Sequence, residues 1–139
     1  MNPAARSRTR RFLLQALYQA QLTGEEFAAV TDPFIADHNM KRADLDYFRE
    51  VMLGIHNDAE NLEAEITGKL DRDWDELDPV EKAILLLGCY ELRSRIEVPY
   101  RVVINEGVEL AKSFGATESY RYINSILDAL SADLRTTEK

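Results

Sequence analysis

Four arginines lie close together near the start of the chain, in the segment AARSRTRRF. The segment contains no acidic residue, whereas the other 13 lysines and arginines are outnumbered by 25 aspartates and glutamates. Cations near a helix N-terminus oppose the helix dipole, so a purely structural role explains this cluster poorly. A basic N-terminal segment is typical of contacts with nucleic-acid phosphates. The residues expected to contact RNA or DNA are Arg6, Arg8, Arg10 and Arg11.

The overall charge limits this interpretation to a local site. A net charge of −8 argues against a protein that coats nucleic acid generally. Charges about 10 Å apart are largely screened from each other at moderate salt, so a local basic site remains compatible with an acidic protein. Binding to an anionic membrane surface is an alternative, but the acidic remainder would be repelled there. The apolar runs are far shorter than the roughly 18 residues that suggest a membrane span.

Motifs for catalysis and metal binding are incomplete. The segment TGKL lacks the flanking residues of a phosphate-binding loop, and DRDWD lacks the glycine and the final glutamate of a calcium loop. His38 and His56 have no closely spaced partner ligands, and Cys89 is the single cysteine, in an apolar run that predicts burial. Scattered carboxylates leave a carboxylate-only enzyme open. We expect no enzyme, no metal and no cofactor, and the lone cysteine fits a reducing compartment.

The elements that must position these residues are helical throughout, because apolar residues recur at helical spacing and no long alternating segment appears. Pro3 suits the first turn of helix one, and Gly24 suits its end. A second helix is expected between positions 25 and 38. Its start is placed near Thr31, because Pro33 must occupy a first turn or kink the helix.

The helix boundaries later in the sequence are marked more clearly. A long apolar face follows from position 44 to 66. The segment DPVE then predicts a helix start in which Asp78 is the N-cap and the Glu81 carboxylate returns to the cap N–H. That helix is apolar nearly all round and should be central. Another helix runs from Pro99 to a closing Gly115, and Thr117 or Ser119 should cap the last one. These features predict an all-α protein.

Two long segments resemble the NusB family of transcription antitermination factors: PAARSRTRRFLLQALYQAQLTG and VEKAILLLGCYELRSRIEVPYRVVINEGVELAKSFGATESYRYINSILD. The resemblance covers nearly the whole chain, although positions 25–74 match mainly in pattern. It implies one domain of two small helical sub-bundles, about 1–72 and 73–139, with about six to seven helices. It also implies a non-catalytic cytoplasmic protein without cofactors.

The resemblance further implies specific partners. NusB family members bind the single-stranded boxA RNA of ribosomal RNA operon leaders together with small-subunit ribosomal protein S10, in its NusE role. With other Nus factors they help RNA polymerase read through terminators. The family's arginine-rich N-terminus corresponds to the cluster described above. Here Ser7 stands where many members carry a base and Arg11 where many carry an acid, so the charge is distributed differently.

Aromatic and polar residues flank the predicted turn between the last two helices. Single-stranded RNA is recognised by cations together with flat rings and polar groups, although core packing is an alternative role for the rings. The resemblance implies RNA contacts there. The candidates are Phe114, Thr117, Glu118 and Tyr122. The carboxylate of Glu118 should accept from a base amine or restrain affinity, because it repels phosphate.

In addition to the apolar face that should pack inward, helix one carries an apolar stripe of residues spaced four apart: Leu14, Tyr18 and Leu22. It is either part of a wide buried face or a partner surface. The resemblance places the ribosomal protein there, with Glu81 beside it. Two rival functions remain: the accessory domain of a ribosomal RNA methyltransferase, which a catalytic domain would follow beyond Lys139, and a helical adapter that binds protein only.

Overall fold

A computed structural model describes residues 2–138 and contains six α-helices and one short 3₁₀ turn within that range. The part described contains no β-strand, so the prediction of an all-α fold is confirmed. The helices are α1 Pro3–Thr23, α2 Phe27–Asp37, α3 Leu45–Thr67, α4 Pro79–Ser94, α5 Tyr100–Phe114 and α6 Ser119–Leu134, and the 3₁₀ turn is Trp74–Glu76.

The contacts divide the chain into two compact units, one ending at Asp58 and the other beginning at Ala59. The division lies inside α3, where Asp58 leaves helical geometry with φ −120° and ψ 15°. The second part of α3 therefore belongs to the C-terminal unit. The division near position 72 that the resemblance implies stays a prediction.

The N-terminal unit is built from α1, α2 and the first part of α3. Its core includes Leu13, Leu17 and Phe48, which are fully buried. Phe34 of α2 stacks on Phe48 with ring centroids 5.6 Å apart and on the His38 ring at 3.7 Å, and the Phe12 ring meets it edge-on at 6.2 Å. The role of His38 here is therefore packing.

The ends of α1 agree with the sequence signals. The Asn2 side chain accepts a hydrogen bond from the Ala4 backbone N–H at 2.8 Å, and Pro3 occupies the first turn. At the other end Gly24 adopts the left-handed conformation, φ 76°, and its N–H bonds the Ala20 carbonyl. Both predicted boundaries are confirmed.

The predicted start of α2 near Thr31 is wrong. The helix begins at Phe27, and Pro33 lies in its interior. Proline in a helix interior removes one backbone hydrogen bond and costs about 3 kcal/mol relative to alanine. Burial of Val30 and Phe34 offsets that cost, because both side chains enter the core of the unit. Tertiary packing therefore overrides the local signal.

In the C-terminal unit α4 is central, as predicted, since every residue from position 83 to 92 is buried. Helices α5 and α6 pack against α4 and each other. Gly88 of α4 and Gly107 of α5 both receive Leu127 of α6. A methyl group at either glycine would lie about as close as 2.6 and 2.5 Å, respectively, to Leu127 side-chain carbons. The missing side chains thus allow three helices to approach around one leucine.

The C-terminal end of α4 is closed by a buried arginine from beyond α6. The Arg135 Nε donates to the Leu92 carbonyl at 2.8 Å, and its Nη2 donates to the carbonyls of Glu91 and Arg95, both at 3.0 Å. Its Nη1 donates to the Val98 carbonyl at 2.8 Å and also to the Glu138 carboxylate. The Glu91 and Arg95 carbonyls also accept from the Arg95 and Val98 backbone N–H groups, so Arg135 adds a second donor to each and reinforces the end of the helix.

The turn before α6 differs from expectation. Neither Thr117 nor Ser119 is the N-cap; Glu118 occupies that position, without a side-chain capping bond, in the left-handed conformation with φ 72°. Gly115 follows α5 as predicted, but its backbone is extended, φ −90° and ψ 173°. A hydroxyl residue is a common cap, yet here the Ser119 hydroxyl bonds Glu81 instead.

Candidate nucleic-acid interface

The four clustered arginines of α1 have different surroundings. Arg11 is exposed, and Arg8 is half-buried with its Nε donating to the Arg42 carbonyl at 3.0 Å. Arg10 is buried, only 3% exposed. Arg6 is mostly enclosed as well. The outward charge of the cluster therefore comes mainly from Arg8 and Arg11, a distinction that counting charges in the sequence missed.

Arg6 lies at the junction between α1 and the start of α3. Its guanidinium carbon is 3.6 Å from the ring centroid of buried Tyr47, and its Nη2 is 3.8 Å from Asp44 Oδ2. Asp44 also caps α3, since its Oδ1 accepts from the Tyr47 N–H at 3.1 Å. The Asp44 N–H in turn donates to the Thr9 hydroxyl at 2.8 Å. These contacts give Arg6 a structural role.

The apolar stripe predicted on α1 is only partly at the surface. Leu14 is buried in the core, whereas Tyr18 is 36% and Leu22 61% exposed. Leu14 therefore belongs to the wide buried face, the alternative weighed for this stripe. Two large apolar side chains at the C-terminal end of α1 remain available to a partner.

Glu81 stands at the start of α4, in the C-terminal unit. Its backbone N–H donates to Asp78 Oδ1 at 2.9 Å, so the predicted N-cap is confirmed. Its carboxylate, expected to return to the cap N–H, instead accepts from the Ser119 hydroxyl at 2.9 Å. The reciprocal capping box occurs one turn earlier in the sequence, between Asp73 and Glu76. Glu81 thus ties the start of α4 to the start of α6.

The candidate RNA residues of the C-terminal unit gather around the turn from α5 to α6. Phe114 and Tyr122 are half-buried, while Thr117 and Glu118 are exposed. The Glu118 carboxylate pairs with Arg121 on the same helix face. Partial burial lets each ring pack on the protein with one edge or face and keep the remainder at the surface.

Tyr122 is held by two residues that precede α4. Its hydroxyl donates to Asp71 Oδ1 at 3.1 Å, and the Arg72 guanidinium carbon lies 4.3 Å from its ring centroid. Arg72 also donates to Asp71, from Nε at 2.8 Å and from Nη2 at 3.5 Å. The three side chains form one exposed cluster of a ring, a cation and a carboxylate.

Hydrogen bonds shift the acidities within this cluster. The bonds from Arg72 and then from Tyr122 lower the pKa of the Asp71 carboxyl below its ordinary value. Partial burial, followed by the bond to Asp71, raises the pKa of the Tyr122 hydroxyl. At neutral pH Asp71 is therefore a carboxylate and Tyr122 a neutral donor.

A second ring on α6 is flanked by cations. Lys112 Nζ lies 5.0 Å and the Arg121 guanidinium carbon 5.6 Å from the ring centroid of Tyr120. The sequence patterns do not single out Lys112, Arg121 or Arg72 as candidate ligands, since Arg72 lies within DRDWD, which has the composition of an acidic linker. The alternation of lysine and arginine with the two tyrosines near the α5–α6 turn is the sequence pattern that could have identified them.

Two alternative features, a metal site and a membrane-spanning helix, are not found among the residues that the structure describes. Between residues 2 and 138 no group of three potential His, Cys, Asp or Glu ligands is close enough to hold a metal ion. Within the same range, none of the helices has the length and apolar character needed to span a membrane.

Comparison with known proteins agrees with the helical architecture. The sequence pattern of the NusB family matches residues 7–132. Transcription antitermination protein NusB from Alcanivorax borkumensis is 48% identical over 98% of this chain and 91% of its own. The Idiomarina loihiensis protein of the same name is 42% identical over the full length of both chains.

The solved structure of NusB from T. maritima superposes with a TM-score of 0.82 at 25% identity, covering 91% of this chain and 90% of that one. The names of the relatives support a general role in transcription antitermination and agree with a non-catalytic protein. With a family match over most of its length and relatives above 40% identity, the chain belongs to the NusB family.

Proposed function

We propose that the protein is an RNA-binding transcription antitermination factor. It binds the single-stranded boxA element of ribosomal RNA operon leaders together with ribosomal protein S10 in its NusE role. With other Nus factors it promotes read-through by RNA polymerase, and it works in the cytoplasm. The observation that carries the proposal is the basic–aromatic surface around the α5–α6 turn.

This surface has the chemistry that single-stranded RNA requires. Unpaired bases stack on exposed aromatic faces, at about 1–3 kcal/mol per base, and phosphates pair with nearby cations. Tyr120, Tyr122 and Phe114 offer rings, and Arg72 and Lys112 lie against two of them. In the N-terminal unit Arg8 and Arg11 add outward positive charge. Arg10 is omitted from the proposed RNA contacts because it is buried.

The partner surface is proposed on α1, at Tyr18 and Leu22. Exposed large apolar side chains are typical of protein contact sites, and a tyrosine near the centre of an interface often carries much of the binding energy. Leu14 is omitted because it is buried. Glu81 stays a candidate contact in the C-terminal unit, where a partner donor would compete with the Ser119 hydroxyl.

A titration of RNA with and without purified S10 tests the function. We expect single-stranded boxA RNA to bind the protein alone, and more tightly when S10 is present, with an affinity that falls as salt rises. Duplex RNA of the same sequence is the control. If S10 bound but the RNA did not, a protein-only adapter would be the better description. Tight binding to folded ribosomal RNA with no boxA preference would favour the methyltransferase-accessory alternative.

Paired variants test the partner surface. Tyr18→Asp should weaken S10 binding by about 2 kcal/mol or more, while Leu53→Asp, another exposed position of the N-terminal unit, serves as the control. Both should melt within a few degrees of the unchanged protein, because exposed substitutions usually cost less than about 0.5 kcal/mol. Equal S10 binding by the two variants would contradict the proposed surface.

A further inference from the structure

One carboxylate occupies the donors that an RNA phosphate would use. Asp71 Oδ1 accepts hydrogen bonds from the Tyr122 hydroxyl at 3.1 Å and the Arg72 Nε at 2.8 Å. Arg72 Nη2 points to the second oxygen, Oδ2, at 3.5 Å. A phosphate also presents two or more oxygens to a guanidinium fork. Asp71 therefore stands where a phosphate bound to Arg72 would place its oxygens.

The ion pair between Asp71 and Arg72 is weak enough for another anion to replace the carboxylate. The Arg72 side chain is 42% exposed and that of Asp71 69%, so water and salt screen their attraction. Exposed ion pairs of this kind contribute little to stability. The stacking of Arg72 on Tyr122, in contrast, does not depend on the carboxylate. An incoming phosphate can thus replace Asp71 while the guanidinium stays on the ring.

We infer that Asp71 is an intramolecular competitor for RNA phosphate, which holds down the affinity of the C-terminal unit for single-stranded RNA. This inference rests on the function proposed above. When RNA binds, the phosphate takes the place of the carboxylate on Arg72, and Asp71 turns into solvent. Because the carboxylate remains near the phosphate, its repulsion weakens binding further. RNA that makes only backbone contacts is then held poorly, and stacked bases must supply the rest.

A related arrangement supports the inference at the neighbouring ring. The Glu118 carboxylate pairs with Arg121, whose guanidinium lies 5.6 Å from the ring centroid of Tyr120. Here too an exposed carboxylate neutralises a cation beside a tyrosine. The Asp71 site is the better defined of the two, because one carboxylate accepts from both the cation and the ring hydroxyl.

The experiment compares Asp71→Asn with Asp75→Asn in the full-length protein, using a fluorescein-labelled single-stranded boxA RNA. Both variants remove one exposed negative charge from the same segment, and only the first removes it from Arg72 and Tyr122. We expect Asp71→Asn to bind about three- to tenfold more tightly at low salt, and Asp75→Asn to change affinity less than about twofold. The log–log salt slope should steepen by up to about 0.7 for Asp71→Asn, because no freed carboxylate then takes up a cation when the phosphate binds Arg72.

A double-variant cycle shows whether Asp71 acts through Arg72. Arg72→Gln alone should weaken binding about three- to tenfold, and adding Asp71→Asn should then give no more gain than Asp75→Asn does. Equal effects of the two aspartate variants, or an undiminished gain in the Arg72→Gln background, would overturn the inference. If the unchanged protein did not bind the RNA at all, the proposed function itself would fail. Circular dichroism melting verifies that each variant is folded.

Discussion

Each unit of the protein contains an arginine stacked on a tyrosine and paired with an aspartate, but the two clusters differ in exposure. The inner triad is Arg6, Asp44 and Tyr47, and the outer triad is Arg72, Asp71 and Tyr122. In the inner triad the two charged side chains are 14% and 11% exposed, against 42% and 69% in the outer one. The same three residue types therefore serve the fold in one place and the surface in the other.

The difference follows from what else the aspartates do. Asp44 caps α3 and binds Thr9 of α1 through its backbone, so its position is fixed by two elements. Asp71 lies in the segment between α3 and α4, where Arg72 and the Tyr122 hydroxyl hold its carboxylate. An arginine next to an aspartate and a ring is thus a binding candidate only where water reaches all three.

The largest expected effect separates the two aspartates by stability. Asp44→Ala should lower the free energy of unfolding by about 2–4 kcal/mol, because it removes a helix cap and leaves an enclosed guanidinium without its partner. Asp71→Ala, the matched change in the outer triad, should leave the free energy of unfolding nearly unchanged, because the side chain is exposed. Urea unfolding followed by circular dichroism measures both. Similar losses would erase the distinction between the triads.

Salt dependence of RNA binding gives the next effect. Arg8→Ala combined with Arg11→Ala should reduce the log–log slope by up to about 1.4, or about 0.7 for each phosphate that is no longer neutralised. Arg49→Ala, an exposed arginine of α3, is the single-variant control for charge alone. Removing Arg6 should mainly lower the melting temperature, since its contacts lie within the fold. A slope unaffected by the double variant would place the RNA elsewhere.

Glu118 gives a smaller effect of mixed origin. Glu118→Asn should raise stability by about 0.5 kcal/mol, because asparagine tolerates the left-handed backbone better than glutamate does. It should bind single-stranded RNA equally or more tightly, since a negative charge next to Arg121 is removed. Glu118→Gln removes the charge without changing the backbone preference, so the two variants separate the causes. Weaker RNA binding by both would make the carboxylate an essential acceptor.

The smallest effect concerns acidity in the outer triad. Because the pKa of Asp71 lies below its ordinary value of 3.8, its bonds contribute stability above that value, and the contribution is lost as pH falls through the folded pKa. Arg72→Gln should move the Asp71 pKa upward, toward 3.8, since Arg72 is the largest cause of the shift. Carbon-detected NMR titration of the carboxyl measures this. An unmoved pKa would mean that the pair does not persist in solution.

Local signals in the sequence predicted what local physics determines. Pro3 and Gly24 bound α1, and Asp78 caps α4, because each works through its own backbone or a neighbouring turn. Interior Pro33 and left-handed Glu118 were predicted incorrectly, since burial of residues around Pro33 and the Ser119–Glu81 bond are tertiary effects.

The same distinction between local and tertiary effects applies to the residues of the candidate site. Spacing indicated which residues lie on one helix, but it could not separate buried Arg10 and Leu14 from exposed Arg11 and Tyr18. Burial depends on which elements pack against the helix, and the spacing of residues within the helix does not contain that information. Arg72 was missed because its ring partner, Tyr122, lies 50 positions later in the sequence. The RNA and partner contacts stay predictions.

The bonds of Arg135 give the C-terminal residues an unusual physical character. Residues beyond the last turn of a helix ordinarily open easily, and their amides exchange with solvent almost freely. Here the guanidinium holds carbonyls at the end of α4, and the Glu138 carboxylate accepts from the Tyr100 N–H at 3.1 Å. The Tyr100 amide and the last turn of α4 should therefore exchange deuterium only as slowly as the tail opens. Loss of the Arg135 or Glu138 side chain should therefore loosen the connection between α4 and α5 from a distance.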